Sequence, residues 1–215
     1  MGYGCCVRIK GDMALFTRPE EKAERVSYSV ITPSAARGII EAVYWHPGMR
    51  YVIDRITVLK PIRFDSIRRN ELGAVAKLGS IRSAAKSGGD YHLDINENRQ
   101  QRASMYLRNV DYLVDFHFEL AQDQMNQTDD EKKFYNILLR RLRGGQHYHK
   151  PYMGCREFPA NVELVEGERP ESAYRDLEEM DLGFMLYDIE YGDICEPRFF
   201  HAIMRRGVIE PEVIA

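Results

Sequence analysis

The stretch TPSAARGIIEAVYWHPG, residues 32–48, predicts a helix that lies between two strand-like segments. Thr32 is a candidate N-cap, and Pro33 suits the first helical position because its missing N–H needs no partner there. The apolar residues recur at i, i+3, i+4 and i+7, the spacing of one helix face: Ala36, Ile39, Ile40 and Val43. The Pro-Gly pair at residues 47–48 is expected to end the helix.

Strand-like segments flank this helix on both sides. CVRIKGDMALF, residues 6–16, alternates apolar and polar positions and places Val7 and Ile9 on one face. RYVIDRITVLKPIRF, residues 50–64, is rich in β-branched residues, which favour strands. A third such segment covers residues 104–120. Its alternating apolar positions are Tyr112, Val114, Phe116 and Phe118.

A second helix is predicted over EKKFYNILLRRLRGG, residues 131–145. Asp129 or Asp130 can cap its start, and the two glycines, Gly144 and Gly145, are expected to end it. Its apolar stripe consists of Phe134, Ile137, Leu138 and Leu142. MGCREFPANVELVE, residues 153–166, is again strand-like.

The order of predicted elements is strand, helix, strand, strand, helix, strand. This order is that of the ferredoxin-like α+β fold, which RNA-recognition (RRM-like) modules share. We expect such a domain over residues 1–165 and a small C-terminal β extension over residues 166–215. Residues 65–101 are small, polar and glycine-containing, so they are predicted to form a long loop, which is usually functional or mobile.

The composition is that of a globular protein with a hydrophobic core. Of the 215 residues, 44% are hydrophobic, yet no run approaches the ~18 apolar residues that a membrane span needs. The beginning of the chain has no long apolar segment of the kind found in secretory signals. The four cysteines form no CxxC pair, so a zinc site of the usual spacing is not expected. These features favour a cytoplasmic protein with reduced thiols and no membrane partner.

Charge is distributed unevenly, although the net charge is only −3. Residues 60–108 hold ten Lys or Arg against five Asp or Glu, and residues 131–156 hold seven against one. Residues 157–196 hold two against thirteen. The pattern predicts one basic face and one acidic flank. The simpler alternative is a set of solvated helix faces with nearby counter-ions.

Four segments carry a resemblance to a known family: residues 10–47, RRNE at 68–71, residues 98–112 with NRQQRA and YLRNVDY, and GCREFPANVELVEGE at 154–168. Together they resemble the type I-C member of the CRISPR-associated Cas-five subunits, which belong to the RAMP superfamily of ferredoxin-like RNA binders. The likeness covers nearly the whole chain.

The resemblance implies an endoribonuclease that needs neither metal nor other cofactor. Such a subunit cuts the CRISPR repeat transcript at the base of its hairpin and leaves a 2′,3′-cyclic phosphate. It then stays on the 5′ handle of the guide RNA within the Cascade complex, beside the backbone and large subunits. The alternative is a subunit that binds the handle and supports assembly without cutting. A third hypothesis, from another class, is a protein-interaction module that binds no RNA.

The resemblance also implies the catalytic residues. A tyrosine near the end of the first helix corresponds to Tyr44, and a lysine at the start of the second helix corresponds to Lys133. The histidine that follows this lysine in the family is replaced here by Phe134, which cannot transfer a proton. A tyrosine has an ordinary pKa of ~10, so Tyr44 is a poor base unless a nearby cation lowers its pKa. Three histidines are candidates for the missing imidazole: His46, His147 and His149.

Basic and glycine residues elsewhere are candidates for RNA binding, because arginine and lysine bind phosphate oxygens. They are Lys132, Arg140, Arg141, Arg143, Gly144, Gly145, Arg68, Arg69, Arg99 and Arg102. We expect these cations to converge in one groove beside the ends of the two helices. Three aromatic residues would either stack on bases or pack in the core: Phe16, Tyr28 and Tyr106.

Overall fold

The computed structural model describes residues 3–21, 23–126, 129–190 and 195–211. Its strands are β1 (Gly4–Ala14), β2 (Arg25–Val26), β3 (Met49–Val58), β4 (Phe64–Leu72), β5 (Arg99–Leu120), β6 (Asn161–Leu164), β7 (Glu179–Glu190), β8 (Glu196–Arg205) and β9 (Val208–Ile209). Its helices are α1 (Pro33–Val43), α2 (Leu78–Ser87), α3 (Ile95–Asn98) and α4 (Glu131–Arg143). No helix in these ranges is both long and apolar enough to cross a membrane.

One large sheet dominates the structure, with the strand order β6-β1-β5-β3-β9-β8-β7. All neighbours along this path are antiparallel, and β2 and β4 pair with β5 outside it. The expected mixture of helices and strands is therefore confirmed as a large antiparallel sheet with few helices. β5 is its central strand because it pairs with β1 on one side and β3 on the other.

The predicted alternation places the core on one face of this sheet. Val7 and Ile9 of β1 are fully buried, as are the four alternating residues of β5. Cys5 packs on the main core and Cys6 lies in a separate small cluster, so these adjacent cysteines of β1 point to opposite faces of the sheet. All four cysteines belong to the described residues and are free of disulfides.

Helix α1 forms as predicted. The Thr32 hydroxyl accepts a hydrogen bond from the Ala35 N–H at 3.1 Å, which satisfies one of the free donors at the helix start. The predicted apolar stripe is buried against the sheet. The last helical residue is Val43, several residues before the Pro-Gly pair, and the next residue, Tyr44, is extended.

Helix α4 also follows its predicted bounds. Asp130 is the N-cap of the two candidates, because its carboxylate accepts a hydrogen bond from the Lys133 N–H at 2.6 Å. Phe134, Leu138 and Leu142 are buried, so the apolar stripe is confirmed. Asp129, the other candidate, has a different set of contacts that belong to the candidate active site.

The prediction of a long loop over residues 65–101 is wrong. This part of the chain contains β4, α2, α3 and the start of β5, and β4 pairs with the first nine residues of β5 as a long hairpin. None of the β4 residues is buried. A strand with two exposed faces lacks the alternation of apolar and polar residues by which strands are recognised.

The C-terminal strands expected beyond residue 165 are present as β7, β8 and β9. They join the main sheet, because Ile56 and Thr57 of β3 pair with Ile209 and Val208 of β9. Arg37 of α1 forms an ion pair with the buried carboxylate of Asp188 on β7, which ties the extension to the helix. The division of the chain near residue 165 stays a prediction.

Gly154, in the GCREFP segment, is expected to be intolerant of a side chain. Its φ is +78°, and a Cβ would lie 2.0 Å from the Leu15 carbonyl oxygen. Since the left-handed conformation alone costs ~1–2 kcal/mol and the backbone clash adds to it, Gly154→Ala should lower the free energy of unfolding by about 3 kcal/mol. Urea denaturation measures this change.

Gly145 is the matched control, because its φ is +60° but a Cβ there would meet no atom within 4 Å. Gly145→Ala should cost only about 1 kcal/mol. Equal losses at the two glycines would contradict the close approach of the loop to Leu15.

Candidate active site

Tyr44 lies at the end of α1, where the chain turns from helix to extended backbone. Its carbonyl accepts a hydrogen bond from the Tyr51 hydroxyl at 2.9 Å. The Arg141 guanidinium carbon lies 5.0 Å from the centre of the Tyr44 ring, and the same guanidinium donates to the Val43 carbonyl at 2.8 Å. These contacts hold the aromatic ring between the end of α1 and the last turn of α4.

Burial raises the pKa of the Tyr44 hydroxyl above its ordinary value. The charges of Arg141 and Lys133 lower this pKa but do not outweigh burial, and the charge of Asp129 raises it further. The hydroxyl therefore stays protonated near neutral pH. Tyr44 can therefore donate a hydrogen bond there.

Lys133 lies in the first turn of α4, and its ammonium group forms an ion pair with Asp129. The Lys133 Nζ lies 2.9 Å from Asp129 Oδ1. This bond raises the pKa of Lys133 and lowers the pKa of Asp129 to about 2. Lys133 is thus a permanent cation at physiological pH, and it acts electrostatically on Tyr44 as well.

Asp129 receives further hydrogen bonds at its second carboxylate oxygen. Asn126 donates its backbone N–H and its side-chain amide to Oδ2 at 3.0 and 3.1 Å. The Asp129 side chain is only 4% exposed. The carboxylate is therefore fixed by donors from one turn and one helix.

His46 sits beside the same carboxylate. Its Nδ1 accepts a hydrogen bond from the Gly48 N–H at 3.1 Å, and its Nε2 lies 3.6 Å from Asp129 Oδ2. The imidazole ring packs against the fully buried Phe134 ring, with 4.7 Å between ring centres. Burial of Phe134, the role expected from the apolar stripe, is confirmed.

His147 and His149 lie on an exposed loop that follows α4. The N–H groups of Tyr148 and His149 both point to the Ala42 carbonyl, at 2.8 and 3.3 Å. His147 lines a cavity of about 180 Å³ together with Val43 and Arg141. The loop backbone is therefore docked on the end of α1, two residues before Tyr44.

The remaining cations of α4 have different surroundings. Lys132 and Arg140 are exposed, whereas Arg143 forms an ion pair with Glu166 at 2.6 Å. Gly144 caps the helix. Arg141 alone among the arginines of this helix turns towards α1.

Arginines of the hairpin lie on other elements than this cluster, and their convergence with it in one groove stays a prediction. Arg68 and Arg69 are on β4, and Arg99 and Arg102 are on β5, where Arg69 and Arg102 are direct cross-strand partners.

The hairpin nevertheless gathers its own cationic group. Arg25, Arg69 and Arg102 surround the Glu71 carboxylate at 3.6 to 3.8 Å. Arg69 also contacts Glu157 at 3.0 Å. Arg25 is a member that sequence reasoning missed, because only the parallel pairing of β2 with β5 brings it there.

The three aromatic residues considered for base stacking are all core residues. Phe16, Tyr28 and Tyr106 are at most 9% exposed and belong to the main hydrophobic cluster. Of the two alternatives, base stacking and core packing, the structure therefore supports core packing.

A comparison with protein-family models identifies the chain. The model Cas_Cas5d, described as CRISPR-associated protein (Cas_Cas5), matches residues 4–212. The chain belongs to the Cas5d family. Its resemblance to the type I-C Cas-five subunits is thereby confirmed.

Known members of the Cas5d family are similar along nearly their whole length. A protein from Mannheimia succiniciproducens named CRISPR pre-crRNA endoribonuclease Cas5d is 44% identical over 213 residues, covering 95% of this chain and 92% of its own. A protein of the same name from Thermus thermophilus is 38% identical over 223 residues, covering 95% and 89%. A crystal structure of a CRISPR-associated protein is 27% identical with a TM-score of 0.72, covering 99% and 93%.

Within this Cas5d chain, Tyr44 and Lys133, the two residues taken from the motif alignment, lie near enough for the Lys133 charge to lower the pKa of Tyr44. The sequence analysis names Asp129 only as a candidate helix cap and misses it as a residue of this site. The signal was its position four residues before Lys133, which suits an ion pair across one helical turn.

Proposed function

We propose that this chain is a metal-independent endoribonuclease that cuts CRISPR repeat RNA. The observation that carries the proposal is the joint site of Tyr44 and Lys133 at the meeting point of α1 and α4. Both side chains are protonated near neutral pH. The Lys133 side chain is 44% exposed and can contact a phosphate, whereas Tyr44 is 7% exposed and borders the core. Two relatives named CRISPR pre-crRNA endoribonuclease Cas5d support the substrate class.

Cleavage of RNA without a metal proceeds by attack of the 2′-oxygen on the adjacent phosphorus. Lys133 stabilises the negative charge that develops on the phosphate oxygens. Tyr44 donates its hydroxyl hydrogen bond to the same phosphate or to the attacking oxygen. The 5′-oxygen leaves with a proton, and the products carry a 2′,3′-cyclic phosphate and a 5′-hydroxyl.

A proton acceptor and a proton donor are also required. Tyr44 and Lys133 do not accept protons at neutral pH because the pKa of each is raised. An imidazole suits this task, and the candidates are His46, His147 and His149.

RNA beyond the cleaved bond is held by cations through its phosphates. The proposed contacts are Lys132, Arg140, Arg141, Arg143, Arg68, Arg69, Arg99 and Arg102, with Gly144 and Gly145 allowing close backbone approach. The hairpin arginines lie on β4 and β5 rather than on the helices that carry Tyr44 and Lys133, and we propose that they bind RNA beyond the cleaved bond.

After cleavage, the subunit is proposed to remain on the 5′ handle within a cytoplasmic type I-C Cascade, beside the backbone and large subunits. The ferredoxin-like assignment of residues 1–165 is part of this proposal. It is supported by the antiparallel order β6-β1-β5-β3 with α1 and α4 as the connecting helices. Residues 166–215 would act as the extension.

The test is incubation of end-labelled repeat RNA with purified protein in EDTA. We expect one cut at the base of the hairpin. Acid treatment should open the cyclic phosphate to a 2′- or 3′-monophosphate, whose additional negative charge shifts the product on a gel. Salt-sensitive binding without a cut would favour the second candidate function, a non-catalytic handle-binding subunit. No binding at low salt would contradict both.

A further inference from the structure

The three candidate histidines differ in what their ring nitrogens contact. Only His46, within the described part of the chain, has its imidazole in contact with the cluster of Tyr44, Lys133 and Asp129. A proton-transfer residue needs one nitrogen that can reach the substrate and change its protonation. Both nitrogens of His46 are directed at the protein instead.

Gly48 determines which nitrogen carries the hydrogen. Its N–H is a donor, so the Nδ1 that it contacts at 3.1 Å must be the acceptor of the ring. In a neutral imidazole the hydrogen then resides on Nε2. That nitrogen faces the Asp129 carboxylate, which accepts hydrogen bonds and cannot donate one when ionised.

Proton transfer by His46 would break this arrangement. As a base through Nε2, the ring would need its hydrogen on Nδ1, which would then oppose the Gly48 N–H. As an acid, the imidazolium would carry hydrogens on both nitrogens and oppose the same donor. The Phe134 ring packs against the imidazole at 4.7 Å between ring centres, which favours the ring position that these two contacts define.

We propose that His46 and Asp129 are positioning residues that hold Lys133 at the reacting phosphate, and that His46 does not transfer protons. The proposal rests on the proposed endoribonuclease function. Asp129 is the link, since one of its oxygens binds Lys133 while the other faces His46 and is fixed by Asn126. Among the three candidates, proton transfer falls to His147 and His149, on the loop docked at Ala42.

Conservative variants separate positioning from proton transfer. In His46→Gln, the new amide keeps one hydrogen-bond donor and one acceptor but cannot titrate. The single-turnover cleavage rate should therefore fall only three- to ten-fold. Its pH–rate profile should keep the wild-type limbs. General acid or base catalysis contributes ~10²–10⁴-fold, so a loss of that size with a vanished limb near pH 6–7 would overturn the proposal.

Asp129→Asn should lower the cleavage rate about thirty-fold at saturating RNA, with affinity changed less than three-fold. The amide no longer balances the Lys133 ammonium group, so the lysine is less well held. His201→Gln is the control, because His201 also contacts a carboxylate, Asp181, at 2.8 Å but lies on β8 outside the site. The control should cut at the wild-type rate, and thermal unfolding should show all variants folded.

A readout without RNA distinguishes failure of this proposal from failure of the proposed function. In NMR titrations of protein with ¹³C-methylated lysines, the Lys133 pKa should fall towards its ordinary value in Asp129→Asn, because the ion pair raises it. The Lys133→Arg variant assigns the signal. If Asp129→Asn changed neither the Lys133 pKa nor the cleavage rate, the positioning role would be overturned. If the wild-type protein never cut the RNA, only the proposed nuclease function would be refuted.

Discussion

Lys133→Ala is expected to slow single-turnover cleavage of repeat RNA by ~10²–10³-fold. The variant lacks the ammonium group that faces the negative charge developing on the phosphate. A water molecule in its place would not supply a fixed positive charge. RNA affinity should change less than about three-fold, because one phosphate contact among many contributes little to binding. Rapid-quench kinetics at saturating protein measures the rate, and filter binding measures the affinity.

Lys132 provides the control for this prediction. It is the adjacent lysine on the exposed side of α4 and has the same charge. Lys132→Ala should reduce affinity and its salt dependence slightly while the bound RNA is cut at the normal rate. Because Lys133→Ala removes the ammonium group from the Asp129 carboxylate, which keeps only Asn126 and His46 beside it, Lys133→Met and a thermal unfolding curve should accompany it. Wild-type cutting by the folded Lys133 variants would show that the active site lies elsewhere.

Tyr44→Phe is expected to slow cleavage by ~10²-fold without disturbing the fold. The variant removes one hydroxyl, while the ring stays beneath Arg141 and the main-chain carbonyl still accepts from Tyr51. The effect therefore reports the hydrogen bond that the hydroxyl donates in the transition state. The measurement is the same single-turnover assay, with circular dichroism as the check on folding.

The control for Tyr44 is Tyr148, whose side chain is 82% exposed on the neighbouring loop. Tyr148→Phe should cut like the wild type. The raised pKa of Tyr44 adds a pH criterion: ionisation of its hydroxyl should not limit the rate below pH ~10. A rate that rises steeply towards pH 10 in the wild type but not in Tyr44→Phe would instead identify this tyrosine as a base.

Elements that bury one face could be predicted from the sequence. Helix α1, helix α4 and β5 all carry apolar residues at the period of their own secondary structure, and the structure has each of them. The hairpin of β4 and β5 could not be predicted, because pairing between two exposed strands depends on backbone hydrogen bonds that leave no apolar pattern. The joining of β9 to β3 is likewise a long-range pairing of only two residue pairs.

The candidate site could be predicted only in part. Tyr44 and Lys133 were found by resemblance, and their joint site depends on where two helices meet. Asp129 was considered as a cap because Asp129 and Asp130 are adjacent, and only the turn geometry decides that Asp130 caps while Asp129 binds Lys133. The roles of the histidines required the positions of their ring nitrogens, which no sequence pattern contains.

The central claim is that Tyr44 and Lys133 act on one phosphate in one active site. The most direct measurement is the single-turnover cleavage rate of the double variant Tyr44→Phe/Lys133→Ala beside the two single variants, all saturated with repeat RNA in EDTA. When two residues stabilise the same transition state, the fold-loss in rate of the double variant is smaller than the product of the two single fold-losses. We therefore predict a double variant that binds the RNA, stays folded and cuts about as slowly as the slower single variant. A loss in the double variant equal to the product of the two single losses would contradict the account.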